Sequence, residues 1–248
     1  IKDISSLSQL KNLELLEIVN NKISDLTPLK DLPIWKINAS NNQITDISPL
    51  SKLTSLKKLD LHNNQITDIT PLIENTGISG TINLKGNPLN NTALSTHIPA
   101  LEARGIKVEY DMPEGVVLFK DSNLEKAIRD ALGIPTELLK KEDLAGLTEL
   151  VVDGGVPWSS DSLTEQEQIK DLTGLEHCAG LTQLNLRNHQ ISDISALANL
   201  TKLSNIELSF NQINDISSLS NLINLTHLEL QKNQLSDLSP LAKLTNLT

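Results

Sequence analysis

The chain is short of several residue types, and each shortage excludes a class of protein. One cysteine, Cys178, occurs in 248 residues, so an internal disulfide is impossible. Aromatic residues make up 2% of the chain, which leaves leucine and isoleucine to fill the core. No apolar run reaches the length of about 18 residues that a transmembrane helix requires, so we expect no membrane-spanning segment.

Positive charge and catalytic motifs are also scarce. The formal net charge is −10 at pH 7, and no basic stripe is present that could neutralise phosphates. This balance argues against binding to nucleic acid or to anionic lipid surfaces. The five histidines are scattered, and the sequence contains no HExxH, CxxC, GxSxG or glycine-rich phosphate loop. We therefore expect no enzymatic activity, no cofactor and no metal site.

The chain does contain a repeat with a period of about 22 residues. One copy reads Leu-x-x-Leu-x-Leu-x-x-Asn-x-Ile-x-Asp-Ile-x-Pro-Leu from Leu56 to Leu72, and a related copy runs from Leu203 to Leu219. Each Leu-x-Leu pair predicts a short strand, and the apolar residues spaced three apart after the asparagine predict a 3₁₀-like turn. A fixed period of this length indicates a solenoid, which binds through a long face rather than in a pocket.

Two polar positions recur within the repeat. The asparagine, as at Asn64, is predicted to be buried and to satisfy backbone groups where the chain leaves the strand. Gly155 and His189 interrupt this column, and we expect His189 to replace the amide only in part. The aspartate, as at Asp68, has two interpretations, a cap for the following turn or a stripe for calcium or a cationic partner. Capping is favoured because one carboxylate per layer is few for calcium.

The repeat stops near Asn87, where two adjoining caps are predicted. Helical spacing of apolar residues before Gly105, followed by a strand over 106–110, predicts a lid that closes the first solenoid. A strand over 116–119 then precedes a helix whose capping box is formed by Ser122 and Glu125. A second short helix is predicted around 137–144, and repeats restart at Leu147.

These residues resemble leucine-rich repeats of the 22-residue subtype found in bacterial internalin-like surface proteins. The phrase NNQITDISPL, from Asn41 to Leu50, recurs as NNQITDITPL from Asn63 to Leu72. The segments 97–110 and 118–133 are similar to the closing and opening caps of such proteins. The resemblance implies an α/β solenoid with a parallel sheet on its concave side and a 3₁₀ or irregular convex side. It also implies a helical N-terminal cap and a helix–strand C-terminal cap.

The order of repeats and caps predicts two tandem leucine-rich-repeat domains. The first is expected over 1–111 with its closing cap at 88–111, and the second over 112–248 with its opening cap at 116–146. Ile1 and Thr248 each fall inside a repeat. We therefore expect both outer ends to be truncated and the chain to be a fragment of a longer protein.

Residues between the inward leucines are predicted to face the concave side, Ser40 and Ser209 among them. Trp35 is favoured as a binding hot spot, although it could instead fill a gap beside Pro33. The acidic, serine-rich insertion over 156–168 is either functional or a tolerated surface loop. Cys178 is expected to be a buried apolar residue. The candidate partner-binding residues are Trp35, Lys36, Asn38, Lys58, Asp60, His62, Asn83, Lys85, Trp158, Arg187, Asn205, Glu207, His227 and Glu229.

The resemblance implies a non-enzymatic module of a bacterial cell-surface or secreted protein, with a protein or carbohydrate ligand on the concave faces. Two alternatives stay open at this point. The repeats could be the targeting arm of a larger secreted enzyme, or an intracellular regulatory scaffold in the cytoplasm.

Overall fold

The computed structural model describes residues 1–155 and 163–248. The predictions made for 156–162, including Trp158, therefore lie outside the described residues. The chain divides into two compact units, Ile1–Glu114 and Gly115–Thr248. Each unit contains a parallel sheet whose strands follow one another in chain order.

The sheet of the first unit has five short strands, one from each successive layer of the solenoid. Each strand buries its central residue and leaves the two flanking residues on the other side, because side chains alternate along a strand. The central residues lie side by side in the order Leu16, Ile37, Leu59, Ile82 and Val108. The strands are β1 Leu15–Glu17, β2 Lys36–Asn38, β3 Lys58–Asp60, β4 Thr81–Asn83 and β5 Lys107–Glu109.

The second unit repeats this arrangement within residues 115–155 and 163–248, where four strands pair in parallel. Their central residues are Leu150, Leu184, Ile206 and Leu228, of which the first three are buried. The strands are β6 Glu149–Val151, β7 Gln183–Asn185, β8 Asn205–Glu207 and β9 His227–Glu229.

The convex side consists of short turns of helix that pack their apolar residues inward. Most are 3₁₀ helices, as predicted, because their apolar residues recur every three positions, which matches the three residues per turn of this helix. Among the described residues, no helix combines the length and apolarity needed to cross a membrane. The 3₁₀ helices are Ser5–Gln9, Thr27–Leu29, Ser48–Lys52, Leu175–His177, Ser195–Leu197, Ser217–Leu219 and Ser239–Lys243, and one layer has instead the α-helix α1 Thr70–Glu74.

The recurring aspartates introduce these turns. Each accepts a hydrogen bond from the backbone N–H two residues later, at 2.7 to 2.9 Å. The capping interpretation is therefore confirmed. Within the described part of the chain, no three or more His, Cys, Asp or Glu side chains lie close enough together to hold a metal ion. The residues are Asp3, Asp25, Asp46, Asp68, Asp171, Asp193, Asp215 and Asp237.

The recurring asparagines form a ladder that joins the layers. The Asn42 amide donates to the carbonyls of Ile18 and Ala39, at 2.9 and 3.0 Å, and its oxygen accepts from the Ile23 N–H at 3.0 Å. The same three types of bond recur at Asn64, Asn87, Asn211 and Asn233. These side chains are buried or half-buried, which confirms the predicted register.

The end of the first sheet is covered by the helix and strand that the sequence predicts. A π-helical turn, Ala93–His97, leads into the α-helix α2 Ile98–Ala103, and β5 follows. Ile98 and Leu101, which belong to α2, are fully buried. The covering matters because an open solenoid end exposes its last apolar layer to water.

The helical segment before the second sheet differs from the prediction in three details. The cap of helix α3 Ser122–Leu132 is Asp121 rather than Ser122, since its carboxylate accepts from the N–H groups of residues 123 and 124. The other Asp121 oxygen accepts from the Lys170 N–H at 2.7 Å, which joins the cap to the first repeat. The predicted strand over 116–119 is reduced to one bridge, between Val116 and Lys140, because helix α4 Lys141–Ala145 begins at once. The second helix, predicted around 137–144, lies instead at Lys141–Ala145.

Candidate binding faces

Two surfaces are left free by this architecture, because the convex turns and the asparagine ladder are occupied in holding the layers together. Both consist of the outward residues of the strands and of the positions just beyond them. The first face comprises Glu17, Lys36, Asn38, Lys58, Asp60, His62, Asn83, Lys85, Lys107 and Glu109. The second face comprises Glu149, Val151, Asp153, Gln183, Asn185, Arg187, Asn205, Glu207, His227 and Glu229.

On the first face, each glutamate is paired with at least one lysine, either on a neighbouring layer or on the same strand. Lys36 Nζ lies 2.7 Å from a carboxylate oxygen of Glu17, and Lys107 Nζ lies 2.8 Å from one of Glu109. Lys85 approaches the other Glu109 oxygen at 3.6 Å. Hydrogen bonds from the lysines hold the pKa of both glutamates below its usual value. The first face is thus close to neutral.

Asp60 and His62 form a hydrogen-bonded pair on this face. The Asp60 carboxylate lies 2.8 Å from His62 Nδ1, and Asn41 Nδ2 lies 3.5 Å from His62 Nε2. The carboxylate fixes the orientation of the ring, so that the pair presents a defined polar group to a ligand.

Asn38 is oriented locally and shows an error in the predicted face. Its side-chain oxygen accepts from both the N–H and the hydroxyl of Ser40, at 3.2 and 2.8 Å. Ser40, which the register placed on the face, is buried. Ser209, at the equivalent position of the second unit, is also buried, and its hydroxyl accepts from the Gln231 N–H at 3.2 Å. The chain turns inward here, ahead of the ladder asparagine.

Trp35 lies just before β2 with 39% of its surface exposed. Its backbone N–H donates to the Glu14 carbonyl at 2.9 Å, which fixes the backbone. Most of the residue is covered, and its exposed part lies at the rim of the first face.

The second face brings four predicted residues together around a shallow depression of about 250 Å³, namely Asn205, Glu207, His227 and Glu229. Strand register places Glu207 directly beside Glu229. The hydrogen bond between their carboxyl groups, together with their mutual repulsion, raises the pKa of Glu229. Glu207 also accepts from the Ser209 N–H at 2.6 Å, which fixes its position.

Phe210 is a residue that the sequence analysis missed. It occupies the turn position just before a ladder asparagine, where φ is 53 to 58° at each non-glycine residue. Asparagine tolerates this left-handed region, and it stands there at residues 20, 41, 63 and 188. The Phe210 ring lies 5.1 Å from the guanidinium carbon of Arg187, within the range of a cation–π contact. The signal was available, since Phe-Asn at 210–211 replaces the Asn-Asn of 63–64.

His189 replaces a ladder asparagine in part, as the sequence predicted, because it makes the two bonds to the preceding layer but, among the described residues, no bond to the carbonyl of its own layer. Nδ1 accepts from the Ile169 N–H at 3.1 Å, and Nε2 lies 2.8 Å from the Val152 carbonyl. These partners place the proton on Nε2, so the imidazole is neutral. Burial lowers the pKa of His189, while the hydrogen bond to Val152 and the charges of Asp121 and Asp153 oppose this effect.

Cys178 is fully buried on the convex side of the second unit. Burial raises the pKa of its thiol to about 12. Because the thiolate is the reactive form, this cysteine is inert, and the prediction of an apolar core residue is confirmed.

Comparison with known proteins adds one sequence match. Residues 36–74 match the family model described as leucine-rich repeats in two copies. Among curated proteins, none matched the chain.

Similar solved structures include two internalins from Listeria monocytogenes. For internalin C2 the identity is 27% over 100% of this chain and 74% of the other, with a TM-score of 0.32. The second internalin is 25% identical over 97% of this chain and 67% of the other, with a TM-score of 0.39. A leucine-rich-repeat protein from Leptospira interrogans is 21% identical over 98% of this chain and 55% of the other, with a TM-score of 0.38. The TM-scores are low, so the fold assignment depends on strand register and the asparagine ladder. On that ground, together with the match over 36–74, the chain has the leucine-rich-repeat solenoid fold.

Proposed function

We propose that the chain is a non-enzymatic binding module that takes a protein or carbohydrate ligand on its two concave faces. One observation carries this proposal. The outward residues of the strands are mostly polar and are exposed or half-buried, so each unit presents a continuous polar face on one side of its sheet. Solenoids commonly bind through faces of this kind.

The residues proposed to contact the ligand are those predicted from the sequence. On the first face, Trp35 supplies exposed aromatic surface, and the oriented Asp60–His62 pair supplies polar groups. Lys58 lies beside this pair and is exposed. A mixture of an exposed aromatic and fixed polar groups is suited to a protein or a sugar ligand.

We also propose that the protein acts at the bacterial cell surface or after secretion. The support is the resemblance of the repeat phrase at Asn41 to Leu50 to internalin-like proteins. Antibody against the chain should label intact cells of the source organism. Labelling that appears only after permeabilisation would contradict this location.

Each solenoid with its cap is proposed to be a domain, over 1–111 and 112–248. The boundary between the compact units, at Glu114 and Gly115, supports this division.

The binding function is tested by probing protein and glycan arrays with the labelled chain. We expect Lys58→Ala with His62→Ala to weaken binding of an array ligand by about ten-fold or more, as loss of interface contacts does. The matched control is Lys30→Ala with Lys52→Ala, two exposed convex residues. Equal losses of binding in both double variants would contradict a concave binding site. The class of array ligand that the unmodified chain binds distinguishes a protein ligand from a carbohydrate ligand.

A further inference from the structure

The two concave faces differ in how their carboxylates are neutralised. On the first face, Lys36, Lys58, Lys85 and Lys107 accompany Glu17, Asp60 and Glu109. On the second face, Arg187 accompanies Glu149, Asp153, Glu207 and Glu229. Within residues 115–155 and 163–248, no lysine or arginine forms a salt bridge with any of these four carboxylates.

The cation of the second face is directed toward an aromatic ring. The Arg187 guanidinium lies 5.1 Å from the Phe210 ring centre. It still attracts Glu229 through space, as does His227, but the dominant influence on that carboxyl group is Glu207. Like charges placed opposite one another on neighbouring strands are destabilising. The second face therefore keeps a carboxyl pair that has no salt bridge with a lysine or arginine of the described residues.

The surroundings of the pair favour a long cationic side chain. The depression beside Glu207 and Glu229 is edged by Val151, which is 55% exposed. An arginine or lysine presents a charged head and an apolar stem, which match the carboxylates and the exposed Val151 side chain respectively. The planar guanidinium can donate to two carboxylates at once.

We propose that the second concave face binds a cationic peptide segment of a partner protein, with an arginine or lysine side chain held between Glu207 and Glu229. This inference rests on the proposed binding function and specifies the chemistry of one partner. The first face, which carries four lysines and three carboxylates, is not expected to share this preference.

The test uses the full chain and a fluorescein-labelled peptide of alternating arginine and serine, followed by fluorescence anisotropy. Glu207→Gln with Glu229→Gln should weaken binding by about ten-fold, equivalent to about 1.4 kcal/mol. The control is Glu137→Gln with Glu142→Gln, which removes the same charge from exposed residues of the segment that precedes the second sheet. It should change the affinity by less than about two-fold. A peptide with glutamate in place of arginine should not bind.

Equal weakening by the two double variants would overturn the proposal, because it would show general attraction to a chain of net charge −10. Absence of binding by the arginine peptide would overturn it as well. If array ligands nevertheless stay sensitive to Lys58→Ala with His62→Ala, the concave binding function stands and only the cationic partner is rejected.

Proton release gives a second readout that general attraction would not produce. Glu207 raises the pKa of the neighbouring Glu229, and Arg187 and His227 act in the opposite direction. A bound cation favours the ionised form of Glu229, so binding should release protons at a pH where Glu229 is partly protonated. Calorimetry in two buffers with different ionisation enthalpies measures this release. We expect a release that disappears in Glu207→Gln with Glu229→Gln, and an equal release in that variant would overturn the placement of the cation.

Discussion

Lowering the pH should weaken the second unit through His189, because this ring fills a ladder position only in its neutral form. Protonation would place an N–H at Nδ1, opposite the Ile169 N–H that it now accepts from. The folded state therefore resists protonation, and the pKa of His189 is lowered from its ordinary value of 6.5. The unfolded chain binds the proton first, so the stability that the neutral ring contributes is present above about pH 6.5 and decreases as the pH falls.

The size of the effect follows from proton linkage and from the two hydrogen bonds. Below about pH 6.5, stability should fall by at most about 1.4 kcal/mol per pH unit, until the folded state also takes up the proton. His189→Asn keeps an acceptor and a donor, as at the other ladder positions, and should remove this dependence. His189→Leu leaves the Ile169 N–H and the Val152 carbonyl buried without partners, and should cost about 2 to 4 kcal/mol.

Calorimetric unfolding of the full chain and of both variants, at about pH 7.5 and about pH 5.5, tests these expectations. Wild type should lose about 1 kcal/mol relative to His189→Asn between the two conditions. Using the difference between the two proteins cancels the opposing contribution of Glu229, whose raised pKa is the same in both. If the difference in unfolding free energy is the same at both pH values, the neutral-ring argument is wrong.

Four further outcomes are expected from unfolding in urea. Asn64→Ala should lower the free energy of unfolding by about 3 kcal/mol because it leaves buried backbone groups unpaired, whereas Asn205→Ala on the second face should lower it by less than about 0.5 kcal/mol. Similar losses in the two variants would contradict the structural role of the ladder. Phe210→Asn should stabilise the second unit by up to about 1 kcal/mol, since relief of the left-handed backbone exceeds the lost cation–π contact; destabilisation would reverse that ranking. Asp68→Ala should cost about 1 kcal/mol at neutral pH. Hydrogen bonds from Thr70 hold the pKa of Asp68 below 3.8, so this cost should vanish as the pH falls through the lowered value, and a cost that persists in acid would exclude capping by the carboxylate. Residues 1–111 and 112–248, expressed separately, should each unfold cooperatively, and failure of either to fold would contradict the proposed domains.

The sequence was sufficient to predict the layers because each repeat must solve the same backbone problem. The ladder asparagine and the capping aspartate recur wherever N–H and C=O groups need partners, as at Asn64 and Asp68. Predictions were weaker where one residue acts across layers. Asp121 and Ser122 are adjacent residues that both suit a cap, and the bond from the Lys170 N–H that also holds Asp121 is distant in sequence. The partial replacement at His189 was predictable because an imidazole has fewer polar groups than an amide, but the identity of its partners, the Ile169 N–H and the Val152 carbonyl, depends on the spacing between layers.

The binding faces were predictable as positions but not as chemistry. Register alone puts Glu17 beside Asn38 and Glu207 beside Glu229. It does not tell that Lys36 turns toward Glu17, or that Arg187 turns toward Phe210. Like charges side by side oppose folding, and opposite charges support it. The first face also places Lys36 beside Lys58, but Lys36 is paired with Glu17. Neither Glu207 nor Glu229 forms a salt bridge with a lysine or arginine of the described residues, which supports the proposal that a cationic segment binds there.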